Sequence, residues 1–330
     1  MHELESSLCA PSPDLSGVIA AAERFYKAAK APATIRAFNS DLASFHAFCD
    51  YNNLPYLPSS VETVVLYVSS LAAADRPMSY ATIRRRLSAI SFAHRQRGLE
   101  SPATPRNHFM LREVLAGIRR TLGTAQHGAS PILSDQIRRI VAACPDKLLG
   151  ARDRALVLFG FAAGSRASEL ASILEVRDLS LTVNGDLYIR LRTSKTDQDR
   201  AGRDFIVARG QHPETCPVRA VQAWVSAARL DQTGGPLFRA VSRHGKLNSN
   251  ALARRSISKI LKAAASRAGL DPASVAPHGL RAGLCTSAAL AGATEMEIAE
   301  LTSHRSVATV RRYVRAADVL RRNASSRLGL

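Results

Sequence analysis

A chain of 330 residues is long enough for about two domains and needs no disulfide staples to bury their cores. It carries 45 Lys and Arg against 27 Asp and Glu, a formal net charge of +18, with arginines recurring from Arg24 to Arg327. That spread marks a polyanion binder, with nucleic acid, DNA or RNA, as the leading partner class, and argues against a membrane-surface protein, whose charge gathers in one amphipathic helix or tail. The five cysteines, Cys9, Cys49, Cys144, Cys216 and Cys285, stand far apart without a Cys-x-x-Cys pair, so neither a disulfide framework nor a zinc ribbon is implied. With acidic residues Glu3 and Glu5 at the start and no apolar run long enough for a bilayer, the expectation is a reduced, cytoplasmic protein with no membrane partner.

Residues 1–14 lack periodicity and hold two prolines, so they read as a flexible leader. Ile35, Phe38, Leu42, Phe45 and Phe48 then recur at three- and four-residue steps and predict an amphipathic helix over 34–51. Ser59-Ser60-Val61-Glu62 resembles a capping box opening a helix to about 74, and Ile83, Leu87 and Ile90 line another that ends near Gly98. Phe109, Val114, Leu115, Ile118 and Leu122 mark one more. Residues 15–122 are thus expected to form an all-helical, DNA-binding domain. Arg84, Arg85, Arg86, Arg95, Arg97, Arg119 and Arg120 are its candidate phosphate contacts, against the alternative of an ordinary solvated face.

Residues 123–131 are small, polar and aperiodic and read as a linker. The remainder, 132–330, predicts a mixed α+β domain, so the fold class is mainly α with a small β-sheet. Helices are expected over 134–144, 152–163 and 166–174. Leu187, Ile189 and Leu191 alternate as one face of a strand, Phe205-Ile206-Val207 is its partner, and a polar loop carrying Lys195 joins them. Further helices are expected over 217–228, 249–268, 277–291 and 294–302, and from Ser306 onward, with 314–330 as a tail.

Arg166 and Glu169 stand three apart at a helix start, as do His278 and Arg281 behind Pro277; each pair alone is equally a structural ion pair or a common coincidence. His304 and Tyr313 are nine apart, which on one helix at about 100° per residue puts them on opposite faces. They cooperate only across a break, for which Ser306 is the candidate N-cap. Taken singly, Tyr313 also reads as a core tyrosine. Together the set fits attack on a phosphodiester without a metal. Two permanently charged, planar guanidiniums match the non-bridging oxygens where charge builds up, Tyr313 is the nucleophile, His278 its base, His304 a phosphate donor and Lys195 the acid for the leaving oxygen.

These residues, in this order, resemble the tyrosine recombinase family, the phage integrases, in its two-domain Cre-like form. Gly164-Ser165-Arg166-Ala167-Ser168-Glu169-Leu170 corresponds to the first arginine motif, His278-Gly279-Leu280-Arg281 to the His-x-Leu-Arg box, and His304 with Tyr313 to the last histidine and the nucleophile. Ser165 stands where an apolar residue is usual, and Ser303 where glycine is common. The resemblance implies a helical core-binding domain and a catalytic domain clamping duplex DNA. It further implies a 3′-phosphotyrosyl intermediate, strand exchange through a Holliday junction, a tetramer on DNA from a protein monomeric when free, and no cofactor or metal. Two alternatives stand beside it: a metal-dependent nuclease using Asp197, Asp199, Glu295, Glu297 and Glu300, and a non-catalytic architectural protein on the same fold.

Overall fold

The computed structural model describes residues 13–124, 130–192, 202–304 and 306–321, and the chain divides into two compact units, Met1–His127 and Gly128–Leu330. In the first unit, α1 (Pro13–Ala28) precedes α2 (Pro32–Tyr51), α3 (Val61–Ala73), α4 (Tyr80–Arg95) and α5 (Phe109–Leu122). The leader expected over 1–14 therefore gives way to helix at Pro13: a proline costs no hydrogen bond in the first turn, where amides have no helical partner anyway. Ser60 caps α3 by accepting the Thr63 amide at 3.2 Å, while Ser59 gives its own amide to buried His94 Nε2 at 3.1 Å. Phe45, Tyr67, Ile83, Leu87, Ile90, Leu111 and Leu115 fill the core between α2, α3, α4 and α5, the stripes that the apolar periodicity marks.

One candidate phosphate contact is corrected here. Arg86 is only 12% exposed and turns inward, donating to Ser44 Oγ at 2.7 Å and Tyr67 Oη at 2.6 Å. Arg85 is pinned 2.7 Å from buried Asp41, whose carboxyl is pushed up by burial against the pull of both arginines. Arg85 and Arg86 thus both turn toward Asp41, and Arg84 remains on the exposed side with Arg95, Arg97, Arg119 and Arg120.

The second unit is built on α7 (Leu148–Ala162), whose Ala155, Leu156, Val157, Leu158 and Phe159 are all buried, with α6 (Ser134–Ala142) and α8 (Pro217–Ala227) packed on it. A three-stranded antiparallel sheet runs β1 (Leu179–Leu181), β2 (Leu187–Leu191), β3 (Arg203–Val207), and Leu187, Ile189 and Leu191 face the core as their alternation requires. Strand β1 has only three residues, too few to show a period. After the short α9 (Leu230–Thr233), strands β4 (Arg239–Val241) and β5 (Leu247–Ala251) form a second hairpin. That hairpin displaces the start of the helix expected over 249–268, and α10 (Arg254–Arg267) begins later: Asn248, Ser249 and Asn250 compete with helix through their own side chains.

The remaining helices are α11 (Pro277–Leu290), α12 (Glu295–Thr302) and α13 (Val307–Arg321). Helix α11 lies against the chain at 130–132, and its small residues explain how. A Cβ on Gly279 would stand 2.6 Å from the Ser130 carbonyl oxygen, and one on Gly283 only 2.0 Å from that of Ile132. The Ile132 amide meanwhile donates to the Gly279 carbonyl at 3.0 Å. Gly283→Ala is expected to destabilise this unit by about 2–3 kcal/mol, because backbone cannot retreat as a flexible side chain can, read as a lower urea midpoint at unchanged slope.

Candidate active site

The site begins where α7 stops. Between Ala163 and Arg166 the chain turns, and Arg166 then reaches forward to Glu169: Nη1 donates to Oε1 at 2.8 Å while the Arg166 amide donates to Oε2 at 2.8 Å. Glu169 is 1% exposed and Arg166 18%, so the pair is shielded from water and its guanidinium is held in one direction. The helix expected over 166–174 is present from Ala167, but from Glu169 to Ile173 it is π-type, closed by the Leu174 amide bonding back five residues to Glu169.

Helix α11 supplies His278 and Arg281 one turn apart. Arg281 is buried at 1% exposure and commits two nitrogens to backbone: Nη1 donates to the Gly164 carbonyl at 2.7 Å and Nη2 to the Thr302 carbonyl. It therefore ties the turn before Arg166 to the end of α12. Burial first, then the charge of Arg166, pulls its pKa down to about 10, which leaves it a cation at neutral pH.

Helix α12 ends in a Schellman turn: the Ser303 amide bonds Glu300 O at 3.2 Å, the His304 amide bonds Ala299 O at 3.1 Å, and Ser303 takes left-handed φ 51, ψ 54. The turn at Ser303 ends α12 just ahead of His304, and α13 opens at Val307 directly after Ser306, so His304 lies in the break and Tyr313 on the helix that follows, as the reading of Ser306 expects. Thr302 Oγ1 holds His304 Nδ1 at 2.6 Å. Burial, and then Arg281, brings the His304 pKa down to about 4, so the ring is neutral at pH 7.

On α13, Tyr313 lies against an apolar cluster of Cys285, Ala289, Ile298 and Val310, with its ring centroid 6.2 Å from that of His304. The core reading of this tyrosine is therefore correct for its ring. Its hydroxyl, however, stands 3.4 Å from His278 Nε2. Burial, then Cys285, holds the phenol above its usual range, and burial with Arg281 and Arg166 holds His278 below its own. The result is a protonated phenol beside a neutral imidazole with a lone pair to offer. Arg166, Glu169, His278, Arg281, His304 and Tyr313 are therefore brought together from separate segments of chain. Lys195 falls within 193–201, outside the described residues.

Over residues 131–319, most of the second unit, the sequence matches the phage integrase family. The chain belongs to that family, the tyrosine-type site-specific recombinases. An integrase/recombinase XerD homolog of Selenomonas ruminantium is 34% identical over 308 residues, covering 93% of this chain and 88% of that protein. Among solved structures, a XerH site-specific recombinase on a palindromic difH substrate shares 18% identity at a TM-score of 0.55, covering 81% of this chain and 70% of that one. A lambda integrase dimer bound to a COC′ core site shares 15% at 0.53, covering 91% and 94%. At such identities these two establish the fold.

Four residues of this recombinase's site escape sequence reasoning. A cavity of about 600 Å³ opens beside Arg166 and His278 and is also lined by Arg254 and Arg255 at the start of α10. A signal was present, since paired arginines in a first helical turn oppose the helix dipole and are costly there unless an anion offsets them. Thr302 and Arg203 carry no such mark. Two of the acids weighed as metal ligands have structural partners: Glu295 pairs with Arg311 at 3.2 Å, and Glu297 closes a capping box on Thr294. Among the described residues no group of three His, Cys, Asp or Glu is placed to hold a metal ion, and no helix is long and apolar enough to cross a membrane.

Because Ser303 carries a left-handed penalty that glycine does not, Ser303→Gly is expected to stabilise the α12 turn by about 0.5–1 kcal/mol. Thermal unfolding checks it, and a lowered midpoint would show that the serine side chain contributes more than its backbone strain costs.

Proposed function

We propose that this recombinase cuts and rejoins duplex DNA through Tyr313, and the hydroxyl set 3.4 Å from a neutral His278 within reach of two held arginines carries the reading. Tyr313 Oη attacks the phosphorus, His278 Nε2 takes the phenolic proton, and the bond from phosphorus to the 5′ oxygen breaks. The products are a 3′-phosphotyrosyl link and a free 5′-hydroxyl, whose proton the family resemblance assigns to Lys195. Arg166 and the remaining donors of Arg281 face the non-bridging oxygens, where negative charge grows in the transition state. His304, with Nδ1 engaged on Thr302, presents Nε2 to the phosphate and needs a proton there to donate; an anion beside it raises the pKa from about 4 and draws that proton in. Reversal of the same steps with a different 5′-hydroxyl exchanges strands without ATP, since the diester bond is conserved.

The structural neighbours bound to difH and core-site DNA, together with the net charge of +18, support a duplex partner. The bacterial relative supports a cytoplasmic setting. Four copies on two duplexes form the working assembly in this reading, with the helical unit 15–122 and the catalytic unit 132–330 both engaging each site. The test is covalent capture: the full chain is mixed with a pool of nicked duplexes of randomised sequence in EDTA and run in SDS. A protein–DNA adduct that maps to Tyr313 is expected. Adduct formation only when divalent metal is added would favour the nuclease reading, and no adduct at all the architectural one.

A further inference from the structure

Strand β3 opens with Arg203, a residue in none of the motifs that mark the family. Its Nη1 donates to the Leu301 carbonyl at 2.9 Å, and its guanidinium carbon lies 4.3 Å from the Phe205 ring centroid. Its Nε and Nη2 are buried with no hydrogen-bond partner among the described residues. Burial pushes this guanidinium's pKa down, Glu169 opposes the effect and Arg166 adds to it, while Arg281 in turn feels the charge of Arg203. Three guanidiniums thus share the field of one carboxylate.

The carbonyls at a helix C-terminus have no amide partner within the helix and must be held from outside. At the end of α12 two arginines do this, Arg203 for Leu301 and Arg281 for Thr302, and the next two residues are Ser303 and His304. We propose that Arg203 is a positioning residue for strand cleavage, which by holding the Leu301 carbonyl fixes the turn that aims His304 at the phosphate. This rests on the reading of His304 as a phosphate donor. A purely structural clamp fits the observations poorly, because each buried donor left unpaired costs about 1–3 kcal/mol. A side chain carrying two of them is a poor stabiliser, and deficits of this kind persist where function holds them.

The experiment uses the full chain and a duplex recovered by covalent capture. Arg203→Met keeps an apolar stem over Phe205 and removes every donor, while Arg203→Lys retains a cation that can reach Leu301. Arg203→Met is expected to slow adduct formation at saturating DNA by about tenfold or more, with duplex affinity held within about twofold and the thermal midpoint not lowered. Arg203→Lys recovers most of the rate. In a His304→Ala background Arg203→Met adds no further loss, because both act through one group. A wild-type rate in Arg203→Met, a loss that multiplies with that of His304→Ala, or a loss that follows a fallen midpoint overturns the proposal. If His304→Ala alone forms adduct at the wild-type rate, the reading of His304 fails and takes this one with it; if it is slow and Arg203→Met is not, only this one fails.

Discussion

Tyr313→Phe is expected to abolish the covalent adduct while leaving duplex affinity within about twofold. The substitution deletes one oxygen and nothing else. The ring keeps its seat against Cys285, Ala289, Ile298 and Val310, so the unit should melt as before, and His278 loses only the contact at 3.4 Å. Since no positive group near the phosphorus is touched, phosphate binding is retained and the nucleophile alone disappears. Denaturing gels read the adduct and native gels the affinity; an adduct surviving at undiminished yield would move the nucleophile to another residue.

Arg281→Lys is expected to cost both rate and stability, the second-largest effect. An ammonium on a shorter reach cannot bridge the Gly164 and Thr302 carbonyls together, so one is left buried and unpaired at about 1–3 kcal/mol. Loss of a planar donor facing the phosphate should slow single-turnover cleavage by about 10²–10³. Arg166→Lys makes the comparison useful. Arg166 is partly exposed and bonded to Glu169 rather than to two segments of chain, so its replacement should slow cleavage with a smaller fall in the thermal midpoint. Normal rate and stability in the Arg281→Lys enzyme would show that the double carbonyl grip is incidental.

How far the sequence could be read depended on whether a feature is local. Helices α2, α4 and α5 declare themselves because their stripes repeat within a few residues, and the inward face of β2 because Leu187, Ile189 and Leu191 alternate. The residues that meet in the site were legible only as motifs, since nothing in their spacing says that Arg281 bonds Gly164 across 117 positions. Arg86 was misplaced for the opposite reason: three arginines in a row look alike, and only the packing of α2 and α3 against α4 turns one of them onto Ser44 and Tyr67. Arg203 left no trace at all, because its partner is a backbone carbonyl and carbonyls have no letter in the sequence. The helix break was legible, since α13 begins at Val307 directly after Ser306, but the way α12 ends was not. A serine in left-handed conformation gives no warning, as glycine would have done.

The surplus of positive charge around Glu169 has a consequence for the energetics of exchange. Arg166, Arg203 and Arg281 repel one another in a place little reached by solvent, and a phosphodiester monoanion relieves that repulsion. In the proposed chemistry the uncut strand, the phosphotyrosyl link and the rejoined strand each present one such monoanion at the same position. The pocket is therefore satisfied to a similar degree at every stage and favours none of them, which makes the local reaction close to a level track. Whatever drives it forward acts from outside these side chains.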